Sequence, residues 1–286
     1  MQAPDTPPLD PARAGALLAA FIERHAGLVV LTGAGVSTAS GIPDYRDLNG
    51  QWKRPQPVTY QAFMGSEHTR QRYWARSLVG WRTFGQARAG AAHRVLAELE
   101  QQGWVDLLIT QNVDGLHEAA GSTALVDLHG RLDTVRCMSC EWRFSRAQWQ
   151  EALVAGNPGW AQRTALSAPD GDADLEAVDF SDFVIPPCPH CGGRLLKPDV
   201  VFYGESVPRE RVQRSLEAVR NARGVLVLGS SLMVYSGYRF VLAAQDAGVP
   251  VVAVNRGATR GDAAFLFKLE ADVGPTLQAA ASILQG

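Results

Sequence analysis

Cysteine is scarce: four residues among 286, all of them in two Cys-x-x-Cys pairs, Cys137/Cys140 and Cys188/Cys191. No stretch approaches the ~20 uninterrupted apolar residues of a membrane-spanning helix, so no such span is expected. Charge of one sign is lacking too. A net charge of −2 gives no global pull towards nucleic acid or an anionic membrane, and neither is expected as a direct partner. The opening residues, Met1 to Asp10, hold acids and prolines but no basic amphipathic helix and no apolar signal core. They do not read as a secretory or mitochondrial leader, and cytoplasm is the expected compartment. Two disulfides would suit a secreted chain; without a leader, and with the pairs far apart, the cysteines read as metal ligands.

What is present is an ordinary globular composition, 46% hydrophobic and 20% charged, in a chain long enough for a large domain with a satellite or for two domains. Apolar positions at helical spacing (Leu17, Leu18, Phe21, Ile22) precede an aliphatic run at 27–31. Further runs at 105–109, 224–228 and 249–254 have the length and aliphatic content of buried parallel strands. Helical patterns over 91–102, 210–221 and 239–247 alternate with them. The expected fold is α/β, a doubly wound, Rossmann-like parallel sheet. Two segments interrupt the alternation. Residues 48–86 are rich in aromatics (Trp52, Tyr60, Phe63, Tyr73, Trp74, Trp81, Phe84) and read as an inserted helical module. Residues 136–195 hold the cysteines and an acidic loop at 168–174. The large domain is then expected from 1–47, 87–135 and 196–286, with the smaller one built from the two insertions.

Several short motifs carry chemistry. Gly33-Ala34-Gly35 follows a strand, where backbone amides can converge on a pyrophosphate at a helix N-terminus. A plain tight turn is the alternative. The dinucleotide fingerprint of hydride-transfer enzymes would need glycine at position 38, where Thr38 stands, which counts against that chemistry. Gln111-Asn112-Val113-Asp114 follows another strand, and carboxyl ends of parallel strands face the ligand crevice; a capping cluster is the alternative. His129 offers an imidazole with an ordinary pKa of about 6.5, suited to general-base work, against the common alternative of a satisfied structural histidine. His93, His117 and His190 read as structural. Four thiolates from Cys137, Cys140, Cys188 and Cys191 suit closed tetrahedral zinc, which leaves no open position for catalysis. The metal is therefore expected to hold a module too poor in apolar residues to fold alone.

Taken together and in this order, these motifs resemble the sirtuins, NAD-consuming protein deacylases, over nearly the whole chain from Gly27 to Gly274. The resemblance implies a role for each. Gly33, Ala34, Gly35, Ser37, Ile42, Asp44, Tyr45 and Arg46 match the NAD loop, with Tyr45 where the family usually has Phe. Gln111 and Asn112 match the ribose contacts and Asp114 the nicotinamide contact, with Val113 in place of the usual Ile. Gly229, Ser230, Ser231, Asn255, Arg256 and Val273 are expected at the cofactor. Val200, Val201, Phe202, Tyr203, Gly204 and Glu205 match the strand that pairs with the substrate peptide. His129 matches the catalytic histidine, with Asn112 and Asp114 as catalytic partners. In the implied reaction the acyl oxygen attacks the ribose, nicotinamide leaves, His129 takes a ribose hydroxyl proton, and O-acyl-ADP-ribose forms.

Tyr73 and Arg76 have the Tyr-x-x-Arg spacing of sirtuins that act on acidic acyl groups. Residues i and i+3 share a helix face, and arginine offers a two-pronged donor to a carboxylate. The string Tyr73 to Trp81, the loop near Asp170 and Ser236 to Phe240 resemble the class II branch, which includes the mitochondrial enzyme linked to lipoyl removal and ADP-ribosyl transfer. The Arg-rich, Lys-poor composition leans bacterial. The reading is thus an NAD-dependent deacylase, a monomer acting on acylated-lysine proteins, with NAD and one structural zinc ion. A protein ADP-ribosyltransferase and a non-enzymatic NAD-sensing module are the rival readings.

Overall fold

A computed structural model describes residues 7–163, 171, 175 and 178–286; apart from Gly171, the expected acidic loop at 168–174 lies outside the described residues. Helix α1 (Pro11–Arg24) is started by Asp10, whose side chain accepts from Arg13 N, and by Pro11 in the first turn. Strand β1 (Leu28–Thr32) follows. The aromatic-rich insertion forms α2 (Tyr60–Gly65) and α3 (Glu67–Phe84). The chain returns through α4 (Ala91–Gln101), β2 (Val105–Thr110), the single turn α5 (Leu116–Ala119) and β3 (Leu125–Asp127). The cysteine-bearing insertion contributes β4 (Gly130–Cys137), β5 (Arg143–Ser145), α6 (Arg146–Gly156), α7 (Pro158–Ala161) and β6 (Leu196–Val200). The last part holds α8 (Arg209–Asn221), β7 (Val225–Leu228), α9 (Tyr235–Asp246), β8 (Val251–Val254), β9 (Phe267–Leu269) and α10 (Val273–Leu284).

Six strands form one parallel sheet in the order β3-β2-β1-β7-β8-β9. Side chains alternate across it. Leu28, Val30, Leu226, Leu228, Val252 and Val254 meet α1, α4 and α10 on one face; Val29, Leu31, Val225, Val227, Val251 and Ala253 meet α8 and α9 on the other. Burial on both faces explains why these strands read as unbroken aliphatic runs. Strand order turns back between β1 and β7, and ligands bind outside the carboxyl ends at such a point.

A second, antiparallel sheet, β5-β4-β6, belongs to the smaller domain. Its core joins both insertions: Phe63, Trp74 and Leu78 from α2 and α3 pack with Trp149 and Leu153 from α6, Trp160 from α7, and Phe180, Phe183 and Ile185. The zinc module is thus not poor in apolar groups, contrary to the sequence expectation; its aromatic side chains are placed to share a core with α3.

Candidate active site

At the switch point the loops after β1 and β7 touch backbone to backbone. Gly35 N donates to Gly229 O at 2.9 Å, and a Cβ on Gly35 would lie 2.8 Å from Gly229 Cα. Only glycine permits this approach. The chain after Gly33 forms two short 3-10 turns, Ala34–Val36 and Thr38–Ser40, not the longer helix expected of a phosphate-binding loop. Gly35, Ser37, Thr38, Gly41 and Pro43 are all poor helix formers, which accounts for the difference.

The crevice opens into a cavity of about 760 Å³. Every residue expected at the NAD and peptide sites lines it except two. Val273 starts α10 and its side chain is buried in the sheet core, not in the cavity wall. Arg76 lies one turn past Tyr73 on α3, and only Tyr73 is in the wall.

Polar side chains beneath the cavity form a connected set. Ser37 Oγ donates to Asp114 Oδ2 at 2.6 Å and accepts from Asn112 Nδ2 at 3.1 Å. Its single proton is engaged by Asp114, so His93 Nε2, at 3.4 Å, is the donor to Ser37. His93 Nδ1 accepts from Gly90 N, and its ring lies 4.7 Å from that of His117. Burial lowers the pKa of both imidazoles, that of His117 to about 3, with the neighbouring His93 adding to the effect. His93, read from sequence as structural, thus touches the set around Asp114.

His129 follows β3 and faces the cavity. Its Nδ1 is 2.9 Å from the Gln111 carbonyl and its Nε2 is 2.8 Å from Ser236 Oγ. Burial, reinforced by Arg211 and Arg239 and opposed by the Gln111 bond, lowers its pKa to about 4. The imidazole is therefore neutral at pH 7, as a general base must be.

The far wall is the segment after β6. Lys197, buried, pairs with Glu205 at 3.0 Å, and Glu205 also accepts from Phe202 N at 2.8 Å. Val201 N donates to His129 O at 2.7 Å, which ties this wall to the histidine. Trp52 bridges the two walls, with the Arg46 guanidinium 3.9 Å over its ring and Tyr45 and Tyr203 edge-on to it. Neither Ser236 as a partner of His129 nor Trp52 as this bridge was legible in the sequence: both contacts join distant segments.

In the small domain the four cysteine sulfurs lie within 4.8 Å of one another. Cys137–Cys191 and Cys140–Cys188 sulfur separations are 3.7 and 3.9 Å. A tetrahedron with Zn–S bonds of about 2.3 Å has edges of about 3.8 Å, so the donor set fits a closed zinc site.

A crevice at the turning point of a parallel sheet, beside an inserted four-cysteine domain, defines an α/β dinucleotide-using enzyme with a structural metal site. Residues 33–236 match the family model described as "Sir2 family", and the chain belongs to that family. It is 63% identical over 256 residues to an "NAD-dependent protein deacetylase" of Xanthomonas campestris pv. campestris, covering 90% of this chain and 87% of that protein. A Bordetella bronchiseptica protein of the same description is 62% identical over 252 residues, with 88% and 92% covered. Among solved structures, "Sir2-p53 peptide-NAD+" superposes with a TM-score of 0.75 at 28% identity, covering 93% of this chain and 97% of that one. "Sir2 bound to acetylated peptide" gives 0.74 at 28%, with 94% and 97% covered. Membership makes NAD the co-substrate of this enzyme and the thiolate cluster its structural zinc site.

Proposed function

We propose that this protein is an NAD-dependent protein-lysine deacylase. The observation that carries the reading is a neutral His129 facing a cavity between the 33–46 loop and the 200–205 segment. The names of the Xanthomonas and Bordetella relatives, and the peptide and NAD in the titles of the solved structures, support it. NAD supplies an activated ribose carbon with nicotinamide as leaving group, and ends as O-acyl-ADP-ribose. Gly33 to Arg46 and Gln111 to Asp114 hold it, with Tyr45 and Asp114 enclosing the nicotinamide end and Asn112 beside the ribose. Ser230, Ser231, Asn255 and Arg256 take the adenosine half. Val200 to Glu205 lies along the substrate peptide. His129 Nε2 accepts a proton from a ribose hydroxyl, and much of the rate comes from holding two reactants in register.

The acyl group is the finer part of the proposal. Tyr73 packs against Phe202, and Val58, Phe84, Val113 and Leu132 line the same cavity and share its core cluster, which favours an aliphatic, lipoyl-type tail. The Tyr73-x-x-Arg76 pattern favours an acidic tail, although Arg76 lies outside the wall. A panel of acetyl, succinyl, glutaryl, hydroxymethylglutaryl, lipoyl and myristoyl peptides, assayed with wild type and Arg76→Met, separates them. Loss of acidic-acyl turnover alone in Arg76→Met selects the acidic tail; no change sinks it. The substrates proposed are acylated-lysine proteins, met by a cytoplasmic monomer whose free thiols suit a reducing compartment. Mass spectrometry tests the reaction class: deacylation removes an acyl mass, whereas ADP-ribosyl transfer adds a nucleotide mass.

A further inference from the structure

The expected general base is not bare in the resting cavity. A carbonyl only accepts, so the Gln111 contact places the His129 proton on Nδ1. Nε2 is then a lone pair, and Ser236 Oγ at 2.8 Å is its donor. Ser236 is the second residue of α9, 107 positions from the histidine it meets. The next residue explains how the helix comes so near. A Cβ on Gly237 would lie 2.4 Å from Gln111 Oε1 and 2.7 Å from Gln111 Cδ. A side chain there would displace the Gln111 amide, which donates to Ser230 Oγ and Thr32 O, so glycine lets α9 lie against Gln111 with that amide in place. Gln111 therefore meets this device twice, through its carbonyl on Nδ1 and its side chain against Gly237.

We propose that Ser236 is a positioning residue for the general base: its hydroxyl keeps the Nε2 lone pair of His129 directed into the cavity until the substrate hydroxyl takes its place. The inference rests on the deacylase reading and deepens it. Ser236 itself lines the cavity, so an incoming hydroxyl reaches Nε2 from the side the serine occupies. One hydrogen bond is exchanged for another, while the Nδ1 bond keeps the ring from turning. The charges felt at His129 are Arg211 on α8 and Arg239 on α9, and both disfavour its protonation. Of the four cavity carboxyls, Asp114 is tied to Ser37, Glu205 to Lys197 and Asp44 to Lys53, and Asp47 accepts from Asn49 N and Gln51 N.

The test compares wild type with Ser236→Ala and Ser236→Thr, using an acyl-lysine peptide with NAD for kinetics and NMR titration of the labelled His129 ring. In Ser236→Ala, kcat is expected to fall about fivefold, with KM for NAD within about twofold, the size of one lost neutral hydrogen bond. The His129 ring is expected to titrate at higher pH, because the donor that favours the neutral ring is gone. Ser236→Thr keeps the hydroxyl and restores both. An unmoved ring titration with unchanged kcat in Ser236→Ala overturns the proposal. Should that variant fold poorly, Ser236→Cys keeps the volume, weakens the donor and must show the same direction of shift; no shift there overturns it equally. A wild type that releases no nicotinamide sinks the deacylase reading instead, and the ring titration, which needs no turnover, still decides for Ser236.

Discussion

Ser37 Oγ reaches Asp114 Oδ2 at 2.6 Å across 77 positions of sequence, joining the loop after β1 to the loop after β2. That bond fixes the direction of the Asp114 carboxyl at the end of the cavity assigned to nicotinamide. Ser37→Ala removes it and leaves Asn112 and His93 without their shared partner. A fall of about fivefold in kcat/KM is expected, with little change in melting temperature, since one hydrogen bond is worth about 1 kcal/mol. Steady-state kinetics beside thermal melting checks both halves.

Replacing the proposed base separates binding from chemistry. His129→Ala should lower turnover by about 10²- to 10⁴-fold, the usual contribution of a positioned base, while NAD binding measured by calorimetry persists. Full activity in that variant would remove His129 from the mechanism.

Acid stability follows from the buried imidazoles. His117 and His129 are lowered to about 3 and about 4, and His93 is lowered as well. Unfolded histidines take up protons below about pH 6.5, which the folded ones refuse. Stability is thus fully present above that pH and is lost as pH falls towards 4. Asp127, raised by burial to about 6, works in the opposite direction with a single proton. Acid also protonates the zinc thiolates, so the comparison that isolates the effect is His117→Gln. Its stability should depend on pH less steeply by about 1.4 kcal/mol per pH unit between pH 4 and 6; equal slopes in denaturant titrations would contradict this.

The metal site should act through folding. Cys137 and Cys188 are buried members of the second core, so Cys188→Ser or chelation loosens the packing of Trp149, Phe183 and Ile185 as well. Loss of one equivalent of zinc, a destabilisation of several kcal/mol and early proteolysis within the small domain are expected. Retained proteolytic resistance after zinc loss would show that the shared core suffices.

Trp52 couples the two walls of the cavity. Trp52→Ala removes the surface on which Arg46 lies and the edge contacts to Tyr45 and Tyr203. Both NAD and peptide KM values should rise, each by about fivefold, with kcat less affected. A rise for one substrate alone would confine the residue to one wall.

Much of the frame was legible because burial leaves a strong trace. The aliphatic runs at 27–31, 105–109 and 224–228 became β1, β2 and β7 within a residue or so of their ends. The edge strands β3 and β9, three residues each, left too little pattern to read. Helix α9 starts at Tyr235, four residues before the expected 239, because Tyr-Ser-Gly-Tyr has no apolar period. At the site, contiguous motifs located the loops, and the side chains that lie elsewhere than the cavity wall were solitary ones. Val273 turned into the core instead of the crevice, and Ser236 was invisible as a partner because nothing local distinguishes a serine near a helix start from one facing a distant histidine. Residue order names loops; it does not say which side chains meet across them.

The neutral, doubly bonded ring of His129 also bears on how the enzyme exchanges protons with its surroundings. A base that is already free of its extra proton at neutral pH has none to release when the co-substrate arrives. Heats of NAD binding near pH 7 should then be the same in buffers of widely different ionisation enthalpy, as far as this residue is concerned. The resting protein would carry its proton acceptor ready-made, and a drift of pH around neutrality would leave the proposed chemical step untouched.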